Sequence, residues 1–293
     1  MSSTTVIYPI VTALVKAEEI IGPERAWQAV NSTQALFLSE FFASCRQESL
    51  SIAEIESIAS FTADDINRFL RERGFRIQLA PLQRGGNGRE LGIASVLDLL
   101  VDWFRPGTGT IVRGQDGKFY PAAHLGGAGS SFHQAAHHRY PVAQLQTVSG
   151  DLVYLTRLES APADFDLLYY AQQLSGSLQP IYEYGGVVFP MVDLKQEVDI
   201  SWLLNLKTTS AKGEPVKITQ ALQETHLAMN QEGARAKSAV ALEVRITSTY
   251  SKTDLVIDGP FLVWFQRPGL TKPLFVGYIT EEDWKNPGEI KGA

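Results

Sequence analysis

Four of the five histidines fall close together, at His124, His133, His137 and His138. His133 and His137 are four apart, so on a helix both would face one way and could share a metal ion. The segment is flanked by Gly126, Gly127, Gly129 and Pro141, however, and residues 117–150 hold no Asp or Glu to complete a site. An exposed polar loop without metal or other cofactor is the expectation. The single cysteine, Cys45, sits in no nucleophile signature, and Gly127-AGSS does not match the G-x-S-x-G of a serine hydrolase. No catalytic constellation emerges, and enzyme activity is not expected.

Two glycine-rich stretches, Gly85-GNGRELG and Gly107-TGTIVRG, lack the lysine of a phosphate loop and the strand–helix setting it needs, so they read as loops. Residues 51–75 can be pictured as a helix-turn-helix with Arg68, Arg71 and Arg73 on its second helix. A solvated face is the better reading, because the whole chain carries a net charge of −6 and phosphate-backbone binders depend on Lys and Arg. Nucleic acid is not expected as a partner.

The informative stretch is 224–265, ETHLAMNQEGARAKSAVALEVRITSTYSKTDLVIDGPFLVWF. A strand ends at Asn230, and a second, apolar one follows Gly259-Pro260. Between them the even positions are Ala234, Ala236, Ser238, Val240, Leu242 and Val244, while the odd ones include Arg235, Lys237, Glu243 and Arg245. Period-2 alternation gives one small-then-apolar face and one largely charged or small face. Pattern alone favours a permanent half-buried strand.

The elements around this stretch indicate the fold class. The chain has 293 residues, 44% hydrophobic and 20% charged, enough to bury an ordinary core without disulfides. No run approaches the roughly 20 uncharged apolar residues of a membrane span. The start has no basic leader and reads as an amphipathic helix with Ile10, Val11, Leu14 and Val15 inward, so a soluble, cytoplasmic chain is expected, with secretion left open. Helical spacing continues through 24–44. Ser51 and Glu54 read as a capping box opening a short helix, and Thr62 with Asp65 opens another, ended by Gly74. Residues 93–104 fit a helix or a strand pair. Beyond about 105, VAQLQTV, DLVYLTRLE, VVFPMVDL, FLVWF and LFVGYI read as strands, with helical insertions at Asp164–Leu174 and Asp199–Leu206. Helices first and strands afterwards give an α+β fold.

Three runs carry a resemblance. LAMNQEGARAKSAVA is similar to the hinge of the serpin family, V-N-E-E-G-T-E-A-A-A-A-T. IDGPFLVWFQRPGLTKPLFVGYI resembles the family's carboxyl end, and GGVVFPMVDLKQEVDISWLLNL its L-P-K-F strand and following helix. They occur in the family's order. YPVAQLQTVSGDLVYLTRLES adds a fainter likeness to the hairpin around L-P-Y. The chain is shorter than the family usually is, with the reduction mostly in the amino-terminal half. Gln231, Arg235 and Lys237 stand where the family commonly has Glu or Ala.

The resemblance implies a single serpin-like domain over 1–293, mostly helical over 1–104 and β-rich over 105–293, with an exposed loop at 233–259. It implies a protease inhibitor whose loop a serine protease cuts and whose loop then inserts into a sheet as a new strand. Glu232, Gly233, Ala234, Ala236 and Ser238 would form the hinge. Counting fourteen residues past Gly233 reaches Thr247, and counting back from Pro260 widens the scissile candidates to Ile246, Thr247, Ser248 and Thr249. A β-branched residue there points to an elastase-like target, while Arg245 keeps a trypsin-like one open. The alternative is a non-inhibitory binding or structural module with the same fold.

Overall fold

The computed structural model describes residues 1–22, 26–82, 89–97, 101–234 and 253–288. The chain forms two compact units. One holds Met1–Thr5, Leu99–Lys195 and His226–Ala293, and the other Val6–Asp98 and Gln196–Thr225.

The first unit is built on a seven-stranded sheet in the order β1 (Ser3–Thr5), β18 (Phe275–Ile279), β17 (Phe261–Gln266), β9 (Leu152–Arg157), β8 (Val142–Gln146), β7 (Ser130–Gln134) and β10 (Gln179–Ile181). All six pairings are antiparallel. Phe261, Val263, Phe265, Leu274 and Val276 are at most 1% exposed, as the continuous apolar runs predict. Helix α5 (Phe165–Ser175) buries Leu167, Leu168, Ala171 and Leu174, and its Ser175 hydroxyl accepts the Trp264 indole N–H at 2.9 Å. Trp264 lies stacked on Tyr154, ring centres 4.8 Å apart. A second sheet runs β16 (Thr253–Val256), β11 (Tyr184–Pro190), β6 (Phe119–Gly126), β5 (Thr108–Arg113).

The second unit carries most of a five-stranded sheet in the order β12 (Val192–Val198), β14 (Pro215–Met229), β3 (Arg89–Leu97), β2 (Ile55–Ser60), with β13 (Lys207–Thr209) paired on β14. Period-2 alternation in β3 sends Leu91 and Ile93 to one face and Gly92, Ala94 and Val96 to the other. Helix α1 (Tyr8–Ile21), buried almost all round, packs on β2 and β3. Helix α4 (Ala63–Glu72) packs Ile66, Phe69 and Leu70 with Ala94 and Val96. Between α1 and β2 the chain winds through α2 (Ser32–Leu36), a wider π-helical turn at Phe37–Phe42 and α3 (Ala43–Ser49).

Several local expectations need correction. Ser51 opens no helix, because its hydroxyl bonds the Glu48 carbonyl at 2.7 Å and so closes α3, after which β2 begins. Residues 51–75 are therefore a strand and one helix, not a helix-turn-helix. The Thr62–Asp65 start holds: Thr62 and Ser60 donate to the Asp65 carboxylate and keep it below the usual carboxylate range. Gly74 ends the element at φ 80°. Residues 93–97 are strand, because they are sandwiched between two helices, a choice periodicity cannot make alone. The two glycine-rich stretches run into β3 and β5, and the helix expected at 199–206 is a single turn at Ser201–Leu203.

Candidate functional site

Strand β14 ends in a chain reversal at Asn230. The Asn230 N–H donates to the Gly233 carbonyl at 2.9 Å, while its side-chain oxygen accepts the N–H groups of Glu232 at 2.8 Å and Gly233 at 3.2 Å. Asn thereby caps its own turn from within, as its short amide allows. The Asn230 carbonyl accepts the indole N–H of Trp103 at 2.9 Å, and the Trp103 N–H donates to Glu232 at 3.2 Å. Trp103 is 1% exposed and meets Phe189 edge-on. Gly107 donates to Gln231 at 2.6 Å where any Cβ would lie 2.3 Å from the His124 carbonyl, so only glycine fits this approach.

After the reversal, β15 (Gly233–Ala234) pairs antiparallel with β4 (Val101–Asp102), Gly233 opposite Asp102 and Ala234 opposite Val101. The chain re-enters the described structure at β16, which lies parallel on β11 from Thr253 opposite Tyr184 to Val256 opposite Val188. Asp254 meets His124 Nε2 at 3.2 Å above Gly186, and Arg157 holds Asp258 at 2.9 Å with its guanidinium 4.5 Å over the Tyr140 ring. Both ends of segment 235–252 are thus anchored in the first unit.

In the second unit β14 and β3 pair directly and in parallel, Val216 opposite Arg89 through Leu222 opposite Ala94, with a bulge between Ile218 and Gln220. The flanking pairs β2–β3 and β13–β14 are antiparallel. Parallel ladders are slightly weaker per residue. A strand entering between β3 and β14 against their direction would turn one parallel ladder into two antiparallel ones.

Of the expected site residues, Glu232, Gly233 and Ala234 fall at this reversal. Ala236, Ser238, Ile246, Thr247, Ser248 and Thr249 lie outside the described residues. Sequence reasoning missed Trp103 and Gly107 and took Asn230 only as a strand end. The available signal was a lone tryptophan between Asp102 and Phe104 just ahead of an Arg-Pro-Gly turn.

The four histidines do not share one exposed loop; only His137 and His138 lie in the connection after β7, and of the two only His137 is exposed. His124 and His133 lie in β6 and β7, and His137 sits in a turn at φ 59°. His133 and His137 therefore lack the helix that would align them, and His133 Nε2 instead meets the Ser131 hydroxyl at 3.0 Å. His138 is buried. The Thr156 hydroxyl donates to the Pro141 carbonyl, so it accepts from His138 Nε2–H at 2.8 Å, which leaves Nδ1 to accept from Tyr170 at 2.9 Å. Burial pushes the His138 and His133 pKa values down. Among the described residues no three His, Cys, Asp or Glu side chains gather as a metal set, and no helix is long and apolar enough to cross a membrane. Cys45 is buried in α3.

No protein-family model and no curated protein matches the sequence. Solved structures resemble the fold. A serpin from Schistosoma mansoni superposes with a TM-score of 0.60 at 10% identity over 95% of this chain and 95% of its own. Serpin48, a highly specific serpin of the insect Tenebrio molitor, gives 0.57 at 12% over 95% and 91%. Human thyroxine-binding globulin, solved with thyroxine, gives 0.57 at 13% over 95% and 91%. The chain has the serpin fold, α+β with mixed and antiparallel sheets.

Proposed function

We propose that this serpin-fold chain inhibits a serine protease by trapping it through loop 233–259. The observation that carries the reading is the direct parallel β3–β14 ladder in a sheet whose neighbouring ladders are antiparallel. That ladder is a place for one more antiparallel strand. The loop's amino-terminal end is held at Gly233–Ala234 on β4.

In the reaction the protease's serine hydroxyl attacks the carbonyl carbon at the scissile bond, among Ile246, Thr247, Ser248 and Thr249. The C–N bond breaks, the departing amine takes a proton from the protease's own acid–base residue, and an acyl ester joins the two proteins. Cutting frees the amino-terminal arm of the loop. Its even face, Ala234, Ala236, Ser238, Val240, Leu242 and Val244, suits burial, whereas an unpaired charge there would cost several kcal/mol. Arg235, Lys237, Glu243 and Arg245 would stay in water. Insertion moves the attached protease before water can hydrolyse the ester.

The test is to mix the protein with elastase-like and trypsin-like proteases and look for a complex that survives a denaturing gel. Ala234→Arg and Ala236→Arg should turn the inhibitor into a substrate that is cut without a complex. Undiminished complex formation by both variants would overturn insertion of this face. The second reading, a non-inhibitory binding or structural module, is favoured by one observation: a chain of the same fold is a thyroxine-binding globulin. It predicts loop cleavage without any covalent complex.

A further inference from the structure

We propose that Gln220 is a latch on the β3–β14 seam: its side-chain amide ties β14 to a strap of chain lying over β3, and an entering strand has to break that tie. The inference rests on the trapping reading and deepens it. The strap is the stretch that leaves α4 after Gly74. Along it Phe75, Ile77 and Leu79 are buried while Gln78 and Ala80 are exposed, the alternation of an extended segment on an apolar face.

Two side-chain amides grip consecutive strap residues. Asn67 of α4 donates to the Leu79 carbonyl at 3.0 Å and accepts the Leu79 N–H at 2.7 Å. Gln220 of β14 donates to the Ala80 carbonyl at 2.9 Å and accepts the Ala80 N–H at 2.7 Å. An amide side chain matches a peptide group donor for acceptor, so each grip is reciprocal and complete. Ile66 of α4, with Leu79 and Leu82 of the strap, closes over Gly92 of β3. A Cβ there would lie 2.7 Å from Ile66 Cδ1, 3.3 Å from Leu82 Cδ1 and 3.6 Å from Leu79 Cδ1. Gly92 is the residue that Gln220 faces across the seam.

The strap is therefore held to β3 by packing and to β14 by hydrogen bonds, and it spans the ladder that insertion must part. One added strand moves Gln220 away from Gly92 by about 4.8 Å. Bonds below 3 Å do not stretch that far. Either the strap lifts its leucines off Gly92 or Gln220 releases Ala80. Release is the easier step, because Gln220 is half-buried and Ala80 exposed, so water can replace the lost partners. Gln220 touches no protease; it is a positioning residue for the opening of the sheet.

Amide hydrogen exchange on the intact protein tests this. Gln220→Ala should speed exchange at Ala80 and along the β3–β14 ladder about tenfold, and Gln220→Glu, which keeps the shape and loses the donor, should do so in part. Asn67→Ala removes an equal grip that does not cross the seam, so it should speed Leu79 and leave the ladder unchanged. A disulfide made by Ala80→Cys with Gln220→Cys should let the loop be cut but block the gain in stability until it is reduced. Ladder exchange in Gln220→Ala equal to the parent protein, or matched by Asn67→Ala, overturns the latch. A parent protein that gains no stability on loop cleavage overturns the trapping reading instead, and the exchange comparison still decides whether Gln220 holds the seam.

Discussion

Strands β17 and β18 and strands β3 and β14 are neighbouring pairs within buried sheets, yet they are built to opposite ends. The first pair is antiparallel through five registered positions, flanked by β9 and β1, and every residue from Phe261 to Phe265 and Phe275 to Ile279 is buried. The second pair is parallel, bulged at Thr219, pressed at a glycine and bridged by a strap rather than by large side chains. One ladder is finished. Under the trapping proposal the other would exchange its contacts for better ones, and a trap would need one of each: a rigid body to carry the loop and a seam that opens.

The largest expected effect follows from completing the seam. Cutting the chain between Arg245 and Ser251 should raise the melting temperature by about 20 °C, from about ten new backbone hydrogen bonds at roughly 1 kcal/mol each and about 2 °C per kcal/mol. Differential scanning calorimetry of intact and cut protein reads it. A lower or unchanged value would place β3–β14 in the same finished class as β17–β18.

Damage to the finished ladder should come next. Trp264→Ala removes a fully buried ring stacked on Tyr154 and bonded to Ser175. A loss of about 3–5 kcal/mol is expected in urea unfolding. A loss under 1 kcal/mol would mean the sheet tolerates voids and is no rigid body.

Asn230 lies where β14 leaves for the loop. Asn230→Ala orphans the Glu232 and Gly233 N–H groups, for an expected loss of about 1–2 kcal/mol. Faster exchange at Gly233 and Trp103 than in β17 would localise that loss to the loop root. Uniform exchange would dissolve the distinction between anchor and body.

The smallest effect is a pH dependence of the finished unit. His138 is held neutral in the fold because burial lowers its pKa from 6.5. A lowered pKa means the unfolded chain takes up the proton first. The stabilisation is thus complete above pH 6.5 and is lost as pH falls toward the folded value. Between pH 8 and pH 5 the melting temperature of the parent should fall further than that of His138→Gln. Parallel curves would remove His138 from the account.

Much of the carboxyl-terminal fold is legible in the residues. FLVWF and LFVGYI read as buried strands from their continuous apolar runs between turn residues, and Thr62, Asp65 and Gly74 bracket α4 because caps and helix stops are local chemistry. The misreadings share one cause. Ser51 could cap the helix before it or the one after it, and only the position of the Glu48 carbonyl decides. Gly107 looks like part of a loop until β6 lies alongside at a distance that admits no side chain there. His124, His133 and His138 look like a polar cluster until β6, β7 and the turn after β7 send them to separate partners.

By itself the sequence determined the strand runs, the helix caps and the alternating small face that begins at Ala234, all of which depend on neighbours a few residues away. The tertiary structure alone decided that β3 and β14 lie side by side in parallel and that Trp103 pins Asn230. It alone brought Gln220 to Ala80 across 140 positions of chain. Such contacts depend on which distant segments pack together, and a free energy of packing summed over the whole core leaves no local trace in the order of the residues.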